Sequence, residues 1–327
     1  MAKNILGIDI GHSQIKLALM NGTTVKKTAC IRTPENLIKN GKVVSLDVMA
    51  ELIKNTCKEE GLMAPMAAMS ISDNLVFEKQ VTLPKMSAEQ LMINIPYEFK
   101  VYINDELKNY NFDYAMYSTV EELEDEKNTS MDLFAVAIQK SLVEDYRIMC
   151  RKAGMKLVSV VPEVACFSNL IRKANLPYKE YCILDMGQQS FRLMMYQNDC
   201  HKITRELEVG LRDIEQVIAD NMNVDVHLAH TFLVNNHEGC QDREYCKDVY
   251  NSIAVELQRA VKFYMFSNRE SELNDIWFVG YGANCKTLVD TIKENLDLVA
   301  HDASELLDTE NAFVYAQVAG VLNEEGK

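Results

Sequence analysis

The sequence has 327 residues, of which 48% are hydrophobic and 25% charged, and this composition is typical of a globular protein with a large buried core. The formal net charge of −14 argues against a nucleic-acid-binding surface, because phosphate backbones are bound by basic stripes. No segment approaches the roughly 20 apolar residues that a membrane-spanning helix needs, and the nine scattered cysteines are typical of reduced thiols in a cytoplasmic protein.

An internal repeat is the first organised feature along the chain. Residues 7–20 align with residues 183–196, so that Asp9 falls on Asp185 and Gly11 on Gly187. Each copy predicts an apolar strand, a tight Asp-x-Gly turn, two more strands and then a helix, at 46–57 and at 211–222. Two such units in one chain predict two related lobes that face each other across a cleft.

A different segment separates the two copies. Its predicted strands and helices span 75–83, 87–95, 112–117, 133–138 and 142–153. Ser87 and Gln90 have the spacing of a capping box at the start of the first of these helices. An acidic run at 121–126 is predicted to be a solvated loop. We interpret the segment as a small α/β subdomain inserted into the first lobe.

The second lobe continues after the second copy of the repeat. A long helix is predicted over 242–266, followed by a short buried strand at 276–279, a glycine-rich turn and a helix at 286–296. A final helix at 312–322 is predicted to return to the first lobe. The expected division is 1–80, 154–175 and 311–327 for the first lobe, 81–153 for the insert and 176–310 for the second lobe.

The two Asp-x-Gly turns suit a complex of a metal ion with phosphate. Mg²⁺ gives up its water reluctantly, so carboxylates such as those of Asp9 and Asp185 hold it through its hydration shell. Gly11 and Gly187 allow backbone N–H groups to approach phosphate oxygens closely. Paired turns on two lobes therefore predict a cleft that binds a nucleoside triphosphate together with Mg²⁺.

These motifs resemble the actin and heat-shock-chaperone ATPase superfamily. The stretches 9–16 and 185–187 look like its two phosphate loops, and Val279-Gly280-Tyr281-Gly282-Ala283 resembles its adenosine loop. The resemblance implies an actin-like, two-lobed α/β fold that binds ATP and Mg²⁺. The nucleotide-binding residues that it implies are Gly11, His12, Ser13, Lys16, Gly187, Gln188, Gln189, Gly210, Glu256, Arg259, Gly280, Tyr281 and Gly282. It implies catalytic roles for Asp9, Asp185 and Glu163, and metal binding by Asp9 and Asp185.

Three further stretches, 83–103, 153–163 and 256–264, resemble the type IV pilus assembly protein PilM. The predicted insert also lies where PilM and the division protein FtsA carry theirs. The resemblance implies a cytoplasmic protein that is recruited to the inner face of the cytoplasmic membrane by the N-terminal tail of a PilN-like inner-membrane protein. Self-association or polymerisation is also compatible with it. The groove that we predict for the partner lies beside the insert and is lined by Tyr97, Phe99 and Tyr102.

Departures from the family pattern predict weak or absent ATP hydrolysis. Gln188 and Gln189 stand where active relatives have small residues, and they crowd the position of the phosphate. Tyr281 stands between the glycines of the adenosine loop, where glycine is common. Pro162 precedes Glu163 in the reverse of the usual Glu-Pro order, which shifts Glu163 by one residue from the position that orients the hydrolytic water.

Alternatives remain open for several of these features. Lys16 also fits the solvent side of an alternating strand, and Glu256 with Arg259 also fits a surface ion pair. A group of histidines and cysteines between 227 and 246 matches no standard zinc spacing. An FtsA-like division protein, a small-molecule kinase of the same superfamily and a scaffold that binds no nucleotide are the alternative functions. The first usually ends in an amphipathic helix, which 312–327 does not resemble, and the second needs a carboxylate base at a second substrate pocket.

Overall fold

The computed structural model describes residues 4–22, 24–117, 124, 127, 129–176 and 178–322. The predicted acidic loop at 121–126, apart from Glu124, and residues 323–327 lie outside the described residues. The strands are β1 (Asn4–Ile10), β2 (Gln14–Asn21), β3 (Thr24–Arg32), β4 (Ile38–Lys39), β5 (Lys42–Val43), β6 (Met66–Ile71), β7 (Val76–Pro84), β8 (Tyr110–Met116), β9 (Ser130–Gln139), β10 (Lys156–Pro162), β11 (Glu180–Met186), β12 (Phe191–Gln197), β13 (Cys200–Leu207), β14 (Asp275–Val279) and β15 (Val299–His301). The α-helices are α1 (Leu46–Glu59), α2 (Ala88–Glu98), α3 (Lys140–Lys152), α4 (Glu163–Ala174), α5 (Leu211–Met222), α6 (Val226–Asn235), α7 (Glu244–Ser267), α8 (Lys286–Asn295) and α9 (Ala312–Ala319).

Two five-stranded sheets share one topology. The first has the order β10-β6-β1-β2-β3 and the second the order β15-β14-β11-β12-β13. In both, an antiparallel hairpin leads to a third antiparallel strand, and parallel strands continue on the other side. Asp9 pairs with Lys16 across the first hairpin, and Asp185 pairs with Arg192 in the same register across the second. The repeat in the sequence is therefore a structural duplication, and we call the two sheets with their outer helices the first and second lobes.

The outer face of each sheet is covered by helices with one apolar side. Helices α1 and α3 bury residues such as Ile53 and Met149 against the first sheet. Helices α5 to α8 bury residues such as Ile218, Leu257 and Leu288 against the second. These side chains recur every three or four positions, and this period keeps them on one face of a helix.

Two helices, α4 and α9, lie between the sheets. Val318 of α9 packs with Met20 of the first sheet, whereas Ala316, two residues earlier and on the opposite face of the helix, packs in a cluster with Trp277 of the second sheet. A Cβ atom on Gly320 would lie 1.9 Å from the carbonyl oxygen of Cys166, so only glycine permits this approach of the chain after α9 to α4. The contacts of α9 with β1 and β2 agree with the predicted return of the last helix to the first lobe.

The insert is a three-stranded antiparallel sheet in the order β7-β9-β8, packed against α2. The side chain of Ser87 accepts from the backbone N–H of Gln90, and the Gln90 side chain accepts from the backbone N–H of Ser87, which confirms the predicted capping box. The insert also contacts the second lobe, since Gln80 Nε2 donates to the carbonyl oxygen of Lys202 at 2.6 Å.

Helix α3 differs in its packing from the expected division of the chain. The predicted boundary at 153 assigns it to the insert, but its buried residues Leu142, Tyr146 and Met149 join the core of the first sheet together with α1. The remaining predicted boundaries stay predictions. Within the described residues, no helix has the length and apolarity needed to cross a bilayer.

Candidate functional site

A cavity of about 780 Å³ opens between the two lobes. Residues of both duplicated turns line it, among them His12 and Ser13 from the first lobe and Gln188 and Gln189 from the second. Basic side chains also line it from each side: Arg32 follows the first hairpin, and Arg212 lies in the first turn of α5. Glu35 and Glu215 also line the cavity, so the groups that could bind an anion from both lobes are the two arginines together with the polar groups of the turns. We call this cavity the cleft.

The first turn is held rigid by backbone and hydroxyl hydrogen bonds. The backbone N–H of Gly11 donates to the Gln14 carbonyl at 2.9 Å, and that of Thr33 donates to the Ser13 carbonyl at 2.9 Å. The Thr33 hydroxyl donates to the carbonyl of Gly11 at 2.8 Å. Thr33, which sequence reasoning missed, is thus a buried support for the predicted phosphate loop. The only signal for Thr33 in the sequence is its position directly after an alternating strand, where a turn is expected.

The second turn packs on the N-terminus of α5. The backbone N–H groups of Leu211 and Arg212 donate to the carbonyls of Gly187 and Gln188, at 3.2 and 3.0 Å. A Cβ atom on Gly210 would lie 2.5 Å from the carbonyl carbon of Gln189, which explains why glycine stands at this contact. Two N–H groups of the helix end that would otherwise be free for an anion are therefore already engaged.

Asp9 is buried, and protein groups surround its carboxylate. The Ser70 hydroxyl donates to it at 2.8 Å, Gln317 Nε2 donates at 2.9 Å, and Lys16 Nζ lies 3.5 Å away. Burial raises the pKa of Asp9, while the charge of Lys16 opposes that shift. The structure therefore supports an ion pair for Lys16 rather than a solvent-facing position.

Arg192 connects the carboxylates of the two lobes. Its guanidinium donates to Asp185 at 2.7 Å and to Glu163, at the start of α4, at 2.5 Å, and it lies 3.5 Å from Asp73. Gln317 also donates to Glu163, at 3.3 Å, and so links this group to Asp9. We call Asp9, Asp73, Glu163, Asp185 and Arg192 the carboxylate centre. Sequence reasoning aligned Arg192 with Lys16 but assigned it no role.

The predicted adenosine loop lies against the second turn. Gly280 has φ of 82°, and a Cβ atom there would lie 2.6 Å from Asp185 Oδ1. A residue with a side chain would therefore clash with Asp185 at this position, and only glycine fits. Tyr281 and Gly282 line a second, much smaller cavity next to the cleft. Glu215 and His230, which sequence reasoning did not include, line both cavities. Their helical spacing gave no signal of this, because α5 and α6 meet only in the fold.

Of the predicted nucleotide-binding residues, His12, Ser13, Gln188 and Gln189 line the cleft and Tyr281 and Gly282 line the small cavity, whereas the others line neither: Gly11, Lys16, Gly187, Gly210, Glu256, Arg259 and Gly280. Glu256 and Arg259 are the two of these that lie on α7. Both are exposed on α7 and are absent from the described residues that line the cavities. The register of α7 explains the difference, because Ile253, Leu257 and Val261 occupy its buried face. The prediction of a nucleoside contact for this pair is not supported. The exposed positions of both residues agree with the alternative interpretation, a pair on the protein surface.

The predicted partner groove needs a correction as well. Phe99 is fully buried in the core of the insert, so it cannot line a surface groove, whereas Tyr97 and Tyr102 are exposed. Another groove, of about 220 Å³, lies between the insert and the first lobe. Its lining is mixed polar and apolar and consists of Asn111, Phe112, Asp113, Val136, Ile138, Val143, Arg147, Leu157, Val158, Ser159 and Val160. We call it the β8–β10 groove.

The alternative of a zinc site finds no support. Among the described residues, no three His, Cys, Asp or Glu side chains have a metal-binding arrangement. His237 stacks instead on Phe232 with ring centroids 4.1 Å apart, and Cys240 and Cys246 are buried thiols.

Comparison with known families assigns the fold. The model of the family described as type IV pilus assembly protein PilM matches residues 7–311. This chain belongs to the PilM family. Membership confirms the resemblance read from the sequence and, with it, the actin-like, two-lobed α/β fold with an insert. No curated protein sequence matches the chain.

Solved structures with the same fold agree with this assignment. A chain of the "PilM-PilN type IV pilus biogenesis complex" is 20% identical, with a TM-score of 0.76 and 97% of each chain covered. The ethanolamine utilization protein EutJ from Carboxydothermus hydrogenoformans is 12% identical, with a TM-score of 0.60 over 98% of this chain and 89% of that one. Component A of (R)-2-hydroxyglutaryl-CoA dehydratase from Acidaminococcus fermentans is 10% identical, with a TM-score of 0.50 over 98% and 96%.

Proposed function

We propose that this PilM-family chain is an ATP-binding component of a type IV pilus assembly machine that holds the cytoplasmic tail of a PilN-like inner-membrane protein. The observation that carries the proposal is the cleft, which both duplicated turns line and to which Arg32 and Arg212 contribute positive charge from opposite lobes. A triphosphate that contacts both turns would hold the lobes together, and such a ligand shifts the population toward the closed arrangement.

Asp9 and Asp185 do not line the cleft, and their carboxylates contact Lys16 and Arg192, so a magnesium ion that arrives with the nucleotide would interact with them through its water shell. Mg²⁺ usually keeps several waters and takes only one or two carboxylates in addition to substrate phosphates. Asp9 and Asp185 are the residues that would hold it, and the close approach of Gly280 to Asp185 leaves that side of the loop without a side chain. The ion would neutralise phosphate charge when bound.

The groups around the carboxylate centre would position the nucleotide rather than cleave it. Arg192 and Gln317 donate to Glu163 and hold its carboxylate, so Glu163 is not free to orient a water molecule. Gln188 Nε2 donates to Glu215 at 2.7 Å, which directs this side chain away from a phosphate donor role. These contacts support our proposal of a nucleotide clamp with weak or absent hydrolysis.

The partner tail would bind in the β8–β10 groove. In the described part of the chain, β8 is the outer strand of the insert sheet and β10 the outer strand of the first sheet. An extended peptide can pair with such a strand edge while its apolar side chains enter pockets. The groove presents apolar residues such as Phe112, Val143 and Val158 beside polar ones such as Asp113 and Arg147, which supports an occupant with alternating apolar and polar residues. A structural relative described as a PilM–PilN complex supports PilN as the identity of that occupant, and recruitment to the inner face of the membrane would follow from it.

Two measurements test the proposal. A thermal shift with Mg-ATP tests the cleft, since a ligand at 100 times its Kd stabilises a protein by about 2.7 kcal/mol. No shift at millimolar Mg-ATP, with nucleotide-free folded protein, contradicts nucleotide binding.

A fluorescent peptide with the N-terminal tail of the cognate PilN-like protein tests the groove by anisotropy. Val158→Glu should weaken its binding at least ~10-fold, because it places a charge in an apolar contact. Val299→Glu is a matched control, since Val299 is an exposed valine on β15, the equivalent outer strand of the second sheet. Equal affinities in both variants would contradict this location.

A further inference from the structure

The small cavity beside the cleft lies where the resemblance puts a nucleobase, but it is closed. Its volume is about 10 Å³, and it lies between the adenosine loop, α5 and α6. A single water molecule already needs roughly 10–15 Å³ measured in this way. The larger cleft next to it offers about 780 Å³. The small cavity beside the adenosine loop therefore has no room for a purine, and the open volume lies in the cleft that both phosphate loops line.

Two stacked rings of the protein line this small cavity. Tyr281 of the adenosine loop stacks on His230 of α6, with ring centroids 5.8 Å apart and an interplanar angle of 19°. This is the offset stacking that aromatic pairs prefer, and it is also the contact that a nucleobase makes with an aromatic side chain.

Glu215 holds His230 in place for this stack. Its Oε1 lies 2.6 Å from His230 Nδ1, and its Oε2 accepts from Gln188 Nε2 at 2.7 Å. Glu215 is 4% exposed, and both of these contacts are partly buried. Gln188 belongs to the second phosphate loop, and the closed ring stack is therefore tied directly to the turn that lines the cleft.

We propose that the Tyr281–His230 stack is a self-occupying closure of the nucleobase pocket, so that a nucleotide binds through its phosphates and its base enters only when Tyr281 leaves His230. This inference rests on the proposed nucleotide-binding function and specifies how the same site selects its ligand. Affinity then comes mainly from the phosphates, and the closed form binds ATP and inorganic tripolyphosphate almost equally.

The experiment compares Mg-ATP and Mg-tripolyphosphate by isothermal titration calorimetry on the full chain. For the unsubstituted protein, we expect Kd values within about threefold of each other. Tyr281→Ala removes the ring that competes with the base, so ATP should bind about tenfold more tightly, the size of one base-stacking contact, while tripolyphosphate changes less than twofold. Tyr281→Gly is the second variant if the alanine protein does not fold, and Tyr281→Phe should keep the original ratio.

Tyr178→Ala is the matched control. Tyr178 also contacts a histidine ring, His301, with centroids 5.1 Å apart, but neither residue lines the described cavities. Weaker ATP binding in Tyr281→Ala would show that Tyr281 stacks on the base, and it would overturn the closure. An unchanged ratio would overturn it too. If neither ligand binds any of the folded proteins, the proposed nucleotide-binding function is wrong. If ATP binds tightly but its Kd does not change in Tyr281→Ala, only the closure of the nucleobase pocket is wrong.

Discussion

Arg192 of the second lobe donates a hydrogen bond of 2.5 Å to Glu163 at the start of the helix that separates the lobes. The same guanidinium contacts Asp185 of its own lobe and Asp73 of the other. One cation thus offsets three carboxylates that would otherwise repel one another in a poorly hydrated place. The lobes are therefore joined by charge as well as by apolar packing.

The first prediction concerns this cation. Arg192→Ala should lower the free energy of unfolding by about 3 kcal/mol, because it leaves a cluster of carboxylates without their partner. Urea unfolding at pH 7 measures the change. Arg205→Ala, at an exposed arginine of β13, is the control and should stay within about 0.5 kcal/mol of the original. Similar effects for both variants would show that the Arg192 contacts contribute little.

The second prediction concerns pH. Burial raises the pKa of Glu78 to about 8 and that of Asp73 to about 7, with Glu163 adding to both shifts and Arg192 opposing them. One oxygen of Glu78 is buried without a hydrogen bond to the described residues. Because both folded values lie above the ordinary ones, the folded state binds more protons, and the stability that this contributes is lost as pH rises through 7 and 8.

His201 faces Glu78 and changes the stability in the opposite direction, over a lower pH range. Burial lowers the pKa of His201 to about 4 from its ordinary 6.5, so its contribution is lost as pH falls through that lower value. Between pH 6.5 and 8.5 we therefore expect stability to fall by about 1–2 kcal/mol. In urea unfolding, Glu78→Gln should reduce this fall in the free energy of unfolding. At pH 8.5 the variant should be more stable than the unsubstituted protein. Glu89→Gln, at an exposed position of α2, is the control and should leave the pH dependence of stability unchanged. If the stability of the unsubstituted protein does not change between pH 6.5 and 8.5, the raised pKa values of Glu78 and Asp73 are wrong.

The third prediction concerns Asp9. Asp9→Asn keeps an oxygen that can accept from Ser70 and Gln317 but removes the charge that faces Lys16 and that we propose to hold Mg²⁺. We expect the fold to remain and Mg-ATP affinity to fall at least ~10-fold, since a charge-assisted interaction contributes about 1.5–3 kcal/mol. Titrations with Mg²⁺ and with EDTA measure the metal-dependent part. Asp185→Asn should act in the same direction but more mildly. A variant that unfolds would show that Asp9 is structural.

The fourth prediction concerns turnover. Hydrolysis needs a water molecule in line and free donors at the developing phosphate charge. Glu163 is held by Arg192, and the Leu211 and Arg212 N–H groups are engaged by the second turn. Each of these two features should lower the rate of hydrolysis about 10²-fold if it acts like the loss of one hydrogen-bond donor to the transition state. We therefore expect a turnover rate well below the ~10 s⁻¹ typical of enzymes. Steady-state phosphate release measures it, with Asp9→Asn as the blank. A rate near ~1 s⁻¹ that this blank abolishes would show a competent site.

Local patterns predicted much of the fold. The duplicated Asp-x-Gly segments gave the two sheets, because strand alternation and turn glycines act over a few residues. The Ser87 capping box and helix α5 at Leu211–Met222 agree with the predicted bounds for the same reason.

Contacts between distant segments could not be predicted in this way. Gln317 donates to Asp9 across 308 residues, and no pattern in either segment indicates the other. Phe99 is predicted in a surface groove because it is close in sequence to two other aromatic residues, Tyr97 and Tyr102. The structure leaves those two exposed but buries Phe99, directly after α2, in the core of the insert. Glu256 and Arg259 have a spacing that suits two roles, and only the packing of α7 distinguishes them.

The placement of α9 has a consequence for how the molecule loses its structure. One face of this helix shares a core with Met20 and the other with Trp277, while its Phe313 carbonyl accepts from the backbone N–H of Gly280 at 2.9 Å. Neither sheet can therefore lose α9 without exposing apolar surface on the other. We expect a single cooperative denaturation transition, followed equally by Trp277 fluorescence in the second lobe and by far-UV circular dichroism of the whole chain. Two separate transitions would mean that the lobes are independent folding units despite the helix they share.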